Sequence, residues 1–248
     1  MIDLDSIVKI IIFIVTICFI LILLIKRFFY FRPTYEFLYP KAQFEDMVEG
    51  GIHSWFLPST LTNKVVLFCH GNAGNLSHRQ EKVISLNQLG YSVLIFDYRG
   101  FGQSKGVPNE EICYQNACMF AEMLIKKFGK ENIIGYGESL GASIASYVCL
   151  RYGLPVLIIE SGLPSVISLL KNKLKILGIF KFIFYEFDTV SYLKSYKGRT
   201  LVLHARNDEI VPWECTEEMR GLAEKVIEMT GSHNNPSIPW EEIQKFIG

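Results

Sequence analysis

Residues 133–142, IIGYGESLGA, contain Gly137-Glu138-Ser139-Leu140-Gly141, a G-x-S-x-G whose meaning depends on its surroundings. The pattern alone arises by chance in roughly one such chain in ten. Here the context is specific. NIIGYG (132–137) reads as a buried strand, and 140–152 reads as a helix that starts directly after the serine. A residue at the tip of so sharp a turn is forced toward positive φ, a strained state for anything with a Cβ. Gly137 and Gly141 remove side chains that would collide where strand and helix converge. The helix N-terminus also favours negative charge developing beside Ser139. This combination reads as a nucleophile elbow.

Outward from the elbow, apolar runs alternate with helical patterns over 44–248, the order of a parallel α/β sheet. FEDMVEGGIHSWFL (44–57) predicts two strands turning near Gly50-Gly51. KVVLFCH (64–70), YSVLIFDY (91–98), PVLIIES (155–161), TLVLHAR (200–206) and KVIEMTG (225–231) predict further strands. Helices are predicted over 76–89, 110–128 and 239–247. Because the strand runs are continuously apolar, helices are expected on both faces of the sheet. Between 162 and 192 the rhythm breaks. SVISLLKNKLKILGIFKFIFYEF is helical in pattern and too long for an ordinary connection, which predicts a lid-like helical insertion over one end of the sheet.

A serine hydroxyl needs a base to become nucleophilic, and the base needs an acid to orient it. In this architecture the acid and then the base follow the serine along the chain. Two histidines lie downstream of Ser139. His204 sits within the strand 200–206 and reads as structural. His233, in MTGSHNN, follows the last strand at its C-terminal end, where functional groups of parallel sheets gather, and is the candidate base. Asp208, in HARNDEIVP, is the favoured acid; Glu160 is its rival one strand earlier, Asp188 is a further candidate, and Glu209 is expected to point elsewhere. An oxyanion hole needs two donors. One is the backbone N–H of Leu140. The other comes from HGNAGN (70–75), with Asn72 first and Ala73 second. That loop lacks the Lys-Ser/Thr of a phosphate loop. No His/Cys/Asp cluster has ligand spacing, so neither metal nor organic cofactor is implied.

The 248 residues carry 25 basic and 25 acidic side chains, and no basic stripe with interleaved aromatics points to nucleic acid. The six cysteines form no C-x-x-C pair and read as free thiols packed as small hydrophobes. IIIFIVTICFILILLI (10–25), extended by Ile7, Val8 and a snorkelling Lys9, makes roughly 28 Å of helix. It predicts a single-pass bilayer anchor over 7–25, with a juxtamembrane linker over 26–43. Lys26, Arg27, Arg32 and Lys41 follow the span and only Lys9 precedes it, which places the remainder on the cytoplasmic side. Phe28, Phe29, Tyr30 and Phe31 suit an interfacial belt.

Taken in order, HGNAGN, FDYRGFGQSKGVPNEE, GYGESLGA, LHARNDEIVP and GSHNN resemble the α/β-hydrolase superfamily over residues 44–248, and within it the membrane-anchored subgroup of depalmitoylase-like serine hydrolases. The resemblance implies an α/β-hydrolase fold: a mostly parallel eight-stranded sheet flanked by helices. It also implies a Ser139/Asp208/His233 triad and an oxyanion hole built from Leu140 and the His70-Gly71-Asn72 loop. Ala205 stands where the family often has Gly, and Asn234-Asn235 where an acid commonly follows the histidine; neither removes a triad member. An apolar insertion and an anchor beside the site lead to the expectation of ester or thioester substrates with hydrophobic acyl groups, on a lipid or an S-acylated protein. A peptidase of the same fold and a catalytically silent membrane scaffold are the alternatives.

Overall fold

Val65, Leu67 and Cys69 belong to one hydrophobic cluster, and Val66 and Phe68, which alternate with them, to another; all five are buried. That is the signature of a strand covered on both faces. The computed structural model describes residues 4–25, 30–174 and 185–248. Among them the strands are β1 (Arg32–Pro33), β2 (Glu45–Glu49), β3 (Ile52–Leu57), β4 (Val65–Cys69), β5 (Ala73–Gly74), β6 (Ser92–Phe96), β7 (Ile133–Glu138), β8 (Val156–Glu160), β9 (Arg199–Ala205) and β10 (Lys225–Met229). The helices are α1 (Leu4–Ile25), α2 (Gln80–Gln88), α3 (Glu110–Phe128), α4 (Gly141–Tyr152), α5 (Val166–Leu174), α6 (Thr189–Ser195), α7 (Glu214–Arg220) and α8 (Trp240–Ile247).

Eight strands form the central sheet in the order β10-β9-β8-β7-β4-β6-β3-β2. It is mixed. β2–β3 and β3–β6 pair antiparallel, while every pairing from β6 through β10 is parallel. The β2–β3 hairpin turns on Gly50 (φ 56) and Gly51 (φ 78), where left-handed backbone suits the twist of the strands. On one face, Phe120 and Leu124 of α3 and Ile144 and Val148 of α4 pack into a single cluster with Leu67 and Leu157. On the other, Val83 and Leu86 of α2 and Ile243 and Phe246 of α8 pack with Phe68, Ile134 and Ile158.

The N-terminal expectation requires correction. Helix α1 exists, and its described apolar side chains, such as Phe13 and Phe19, are exposed. Asp5 and Lys9 pair at 2.6 Å within its first turns. Among the described residues no helix is long and apolar enough to cross a membrane, so the spanning anchor over 7–25 is not supported. Lys26, Arg27, Phe28 and Phe29 lie outside the described residues. The rest of the predicted linker is bound along the domain. β1 pairs with β5, Leu38 N–H donates to Ser77 Oγ at 2.9 Å, and Lys41 N–H donates to Gln80 Oε1 at 2.7 Å.

Of the predicted insertion, α5 is helical, and 175–184 lie outside the described residues. Helix α6 packs against α4 in the layer flanking the sheet. Helix α7 had no counterpart in the sequence reading. It is a two-turn helix with no side-chain cap at Trp213, too short to print a clear period.

The elbow depends on missing side chains. A Cβ on Gly141 would lie 2.0 Å from the Cys69 carbonyl oxygen, and one on Gly137 would lie 2.5 Å from Ala142 Cα; both obstacles are backbone. Gly221, by contrast, has φ −74 and nothing within 4 Å of an added Cβ. Gly141→Ala is therefore expected to cost at least about 2 kcal/mol in denaturant melts, and Gly221→Ala to stay within about 1 kcal/mol of the parent.

Candidate active site

Strand β7 carries the chain to Ser139, whose φ of 53 is the strained left-handed value the turn demands. The Ser139 N–H donates to Glu160 O at 2.9 Å, so the turn is held by the neighbouring strand. Ala142 N–H to Ser139 O at 3.1 Å and Ser143 N–H to Leu140 O at 3.2 Å then open helix α4. The loop after β9 supplies Asp208, and the loop after β10 supplies His233. His233 Nε2 lies 3.1 Å from Ser139 Oγ, across 94 residues of chain, and His233 Nδ1 lies 2.7 Å from Asp208 Oδ2. A carboxylate at Nδ1 selects the tautomer with the proton on Nδ1. Nε2 is then left to accept the serine hydroxyl proton.

Asp208 is buried and firmly held. Its Oδ1 accepts from Ile210 N–H at 2.9 Å and Val211 N–H at 2.7 Å. Burial alone would raise its pKa, but the His204 and His233 side chains, the His233 charge and the Val211 N–H outweigh it and hold the carboxyl well below the usual range. His204, read as structural, reaches this acid. It is fully buried, its Nε2 donates to Val211 O at 2.8 Å, and the same atom lies 3.4 Å from Asp208 Oδ2. Glu209 is not turned away either, since its Oε2 accepts the His233 backbone N–H at 3.1 Å. His204 at the end of β9 thus backs the acid, and Glu209 in the loop holds the His233 backbone, contacts that depend on the path of the loop.

The other acids have different partners. Asp188 caps α6 by accepting Ser191 N–H at 3.0 Å. Glu160 is fully buried and receives Tyr136 Oη–H at 2.6 Å and Lys82 Nζ at 2.5 Å. Lys82 also reaches Glu138 at 2.9 Å, and Arg79 reaches Glu138 at 2.9 Å. Burial would raise Glu138, yet the two cations hold it well below the usual carboxylate range. This network lies directly behind the nucleophile and escaped the sequence reading. Its signal was present: Glu138 and Glu160 share one register on adjacent strands, and Arg79 and Lys82 are three residues apart beside the HGNAGN loop.

The HGNAGN loop adjoins the elbow. A Cβ on Gly71 would sit 3.4 Å from Ser139 Cβ. Asn72 Nδ2 donates to Tyr30 O at 2.6 Å, and His70 Nδ1 donates to Gly71 O at 2.7 Å. Beside His233 opens a cavity of about 220 Å³ lined by His78, Arg79, Lys82, Glu138, His233 and Asn234.

The depressed pKa of Asp208 sets a pH dependence with a definite sign. A carboxyl whose folded value lies below its unfolded one stabilises the fold at pH above about 4, and that contribution fades as pH falls through the folded value. The unfolding free-energy difference between the parent and Asp208→Asn is therefore expected to be constant above about pH 5 and to shrink in more acidic buffer.

Comparison with known proteins gives the chain relatives. A family model described as alpha/beta hydrolase fold matches residues 64–169. An uncharacterized mimivirus protein, R595, is 30% identical over 75% of this chain and 72% of its own. The lysophosphatidylserine lipase ABHD12 of Danio rerio is 28% identical over 72% of this chain and 52% of its own, so the chain spans about half of that relative. The Pyrococcus furiosus esterase Pf2001 superposes with a TM-score of 0.67 at 18% identity, over 88% of this chain and 97% of that one, a likeness of fold.

Proposed function

The chain belongs to the α/β-hydrolase family and is a hydrolase, and from that premise we propose that it is a serine hydrolase cleaving carboxylic ester or thioester bonds through Ser139, His233 and Asp208. The observation that carries the proposal is the unbroken line from Ser139 Oγ to His233 Nε2 at 3.1 Å and from His233 Nδ1 to Asp208 at 2.7 Å. In this mechanism His233 takes the Ser139 proton as the hydroxyl oxygen attacks the acyl carbonyl. Asp208, held ionised, orients the imidazole and stabilises its cation. The tetrahedral oxyanion is received by the N–H groups of Leu140 and Asn72. Collapse releases the alcohol or thiol with the proton from His233, and water, activated by the same base, deacylates the enzyme.

Substrates with hydrophobic acyl groups, on lipids or S-acylated proteins, fit two further features. The exposed apolar side chains of α1 favour work at a lipid or detergent surface. The ABHD12 relative is named for a lysophospholipid substrate, which supports an acyl ester of a lipid as a first compound to try.

A fluorophosphonate probe is expected to label the parent and to leave Ser139→Ala and His233→Ala unlabelled. Turnover of p-nitrophenyl esters by Asp208→Asn is expected to fall about 10⁴-fold. Labelling that survives in Ser139→Ala would place the nucleophile elsewhere.

A further inference from the structure

The N-terminal segment that the sequence presents as a linker meets the chain at the candidate oxyanion loop. Asn72 is held by it twice: its Nδ2 donates to Tyr30 O at 2.6 Å, and its carbonyl oxygen accepts the Arg32 N–H at 3.2 Å. β1 and β5 extend this grip in parallel register, with Arg32 opposite Ala73 and Pro33 opposite Gly74, and Thr34 N–H donates to Gly74 O at 3.2 Å. Asn75, at the end of the loop, donates its side-chain amide to both Thr34 O (2.9 Å) and Glu36 O (2.7 Å).

The other side of the same loop is fixed from within the domain. His70 Nδ1 donates to Gly71 O at 2.7 Å. In a planar trans peptide, the Gly71 carbonyl and the Asn72 N–H point in opposite directions. Holding the carbonyl therefore aims the N–H away from His70. The two bonds from the N-terminal segment land on the other atoms of Asn72, its side-chain amide and its carbonyl, and so restrict how that peptide can swing.

The segment is in turn anchored by its rings. Phe31 is buried, its ring centroid 6.0 Å from Phe101, and Tyr30 lies 4.9 Å from Tyr185. Phe187, which stacks near Tyr30 at 5.8 Å, is buried with φ 39, a strained value for a residue with a Cβ. Tyr30, Phe31, Phe101, Tyr185 and Phe187 thus join three stretches far apart in sequence into one aromatic plug beside the loop.

We propose that Tyr30–Thr34 is a positioning strap for the oxyanion-hole donor Asn72 N–H, so that the segment following α1 is part of the catalytic machinery and not a tether. The inference rests on the serine-hydrolase reading above. The strap touches no reacting atom. It acts through Asn72, and its loss lowers the stabilisation of the tetrahedral intermediate while leaving ground-state binding in place.

Two substitutions in the full chain test it. Arg32→Pro deletes the N–H that bonds Asn72 O. Asn72→Ala retains the donor N–H and deletes only the amide that bonds Tyr30. Each is assayed with p-nitrophenyl butyrate for kcat and KM, with an aryl boronic acid that forms a tetrahedral adduct on serine, and by thermal melting. The expected result is a kcat about tenfold to a hundredfold lower, KM within about threefold, and boronate affinity falling with kcat, the scale of a displaced hole donor. Folded variants whose kcat and boronate affinity stay within about twofold of the parent overturn the proposal. A proportional loss of kcat, substrate binding and melting temperature also overturns it, since that is the signature of a structural role. Should Arg32→Pro not fold, Asn72→Ala decides alone. A parent that neither labels at Ser139 nor turns over the ester removes the hydrolase reading and this one together, whereas an active parent with unaffected variants removes only this one.

Discussion

The geometry of the site depends on how closely helix α4 approaches the central strands. With the Cys69 carbonyl oxygen 2.0 Å from where a Gly141 Cβ would be, the helix starts almost in backbone contact with the end of β4. That approach compresses the turn, pushes Ser139 to positive φ and lifts its hydroxyl clear of the sheet. The penalty of a left-handed serine is met by the sheet itself. β7 is paired on both sides, and the Ser139 N–H is bonded to Glu160. Because β4 is also the strand that ends in the HGNAGN loop, the same approach brings Gly71 against Ser139. One steric constraint thus places both the nucleophile and its neighbouring loop.

Behind the elbow, Arg79, Lys82, Glu138 and Glu160 form a nearly buried network of two cations and two anions. Two carboxylates at one register on adjacent strands would repel, and Lys82, within 2.9 Å of both, resolves the conflict. Such a network is not an economical source of stability, because desolvating four charges offsets most of their attraction. Its consequence is placement. Removing any one member leaves an uncompensated charge next to Ser139, so each member constrains the others. The Asp208 loop follows the same logic on a smaller scale, with two backbone N–H groups, His204 and His233 converging on one carboxylate.

Much of this was legible in the linear sequence because it rests on local rules. The continuous apolar runs of β4, β6, β7, β8 and β9 required cover on both faces. The glycine pair around Ser139 had to mean a steric bottleneck, and the order serine, acid, histidine followed from strand order. What remained hidden involved directions and partners. His204 looked like core packing because its strand is buried, yet the return of the loop to Val211 sets it against Asp208. Glu209 looked turned away because neighbours on an extended chain diverge; this loop is not extended. The stretch 30–43 looked like a linker because its hydrogen bonds go to residues about 40 positions downstream, which no local period records. The apolar N-terminal run reads by length as a span, whereas among the described residues no helix is long and apolar enough to cross a membrane.

The α/β class, the covered sheet, the position of the elbow and the candidacy of Ser139, Asp208 and His233 are all written in the linear chain, since each follows from hydrophobic period, backbone sterics or residue chemistry acting over a few positions. It takes the folded chain to bring these three side chains within hydrogen-bonding distance, to set His204 and Glu209 in support of them, and to clamp Asn72 with Tyr30 and Arg32. Except for His204 and Asp208, which are close in sequence, those are distances between groups tens of residues apart, and they exist only once the sheet has brought the loop ends to one edge.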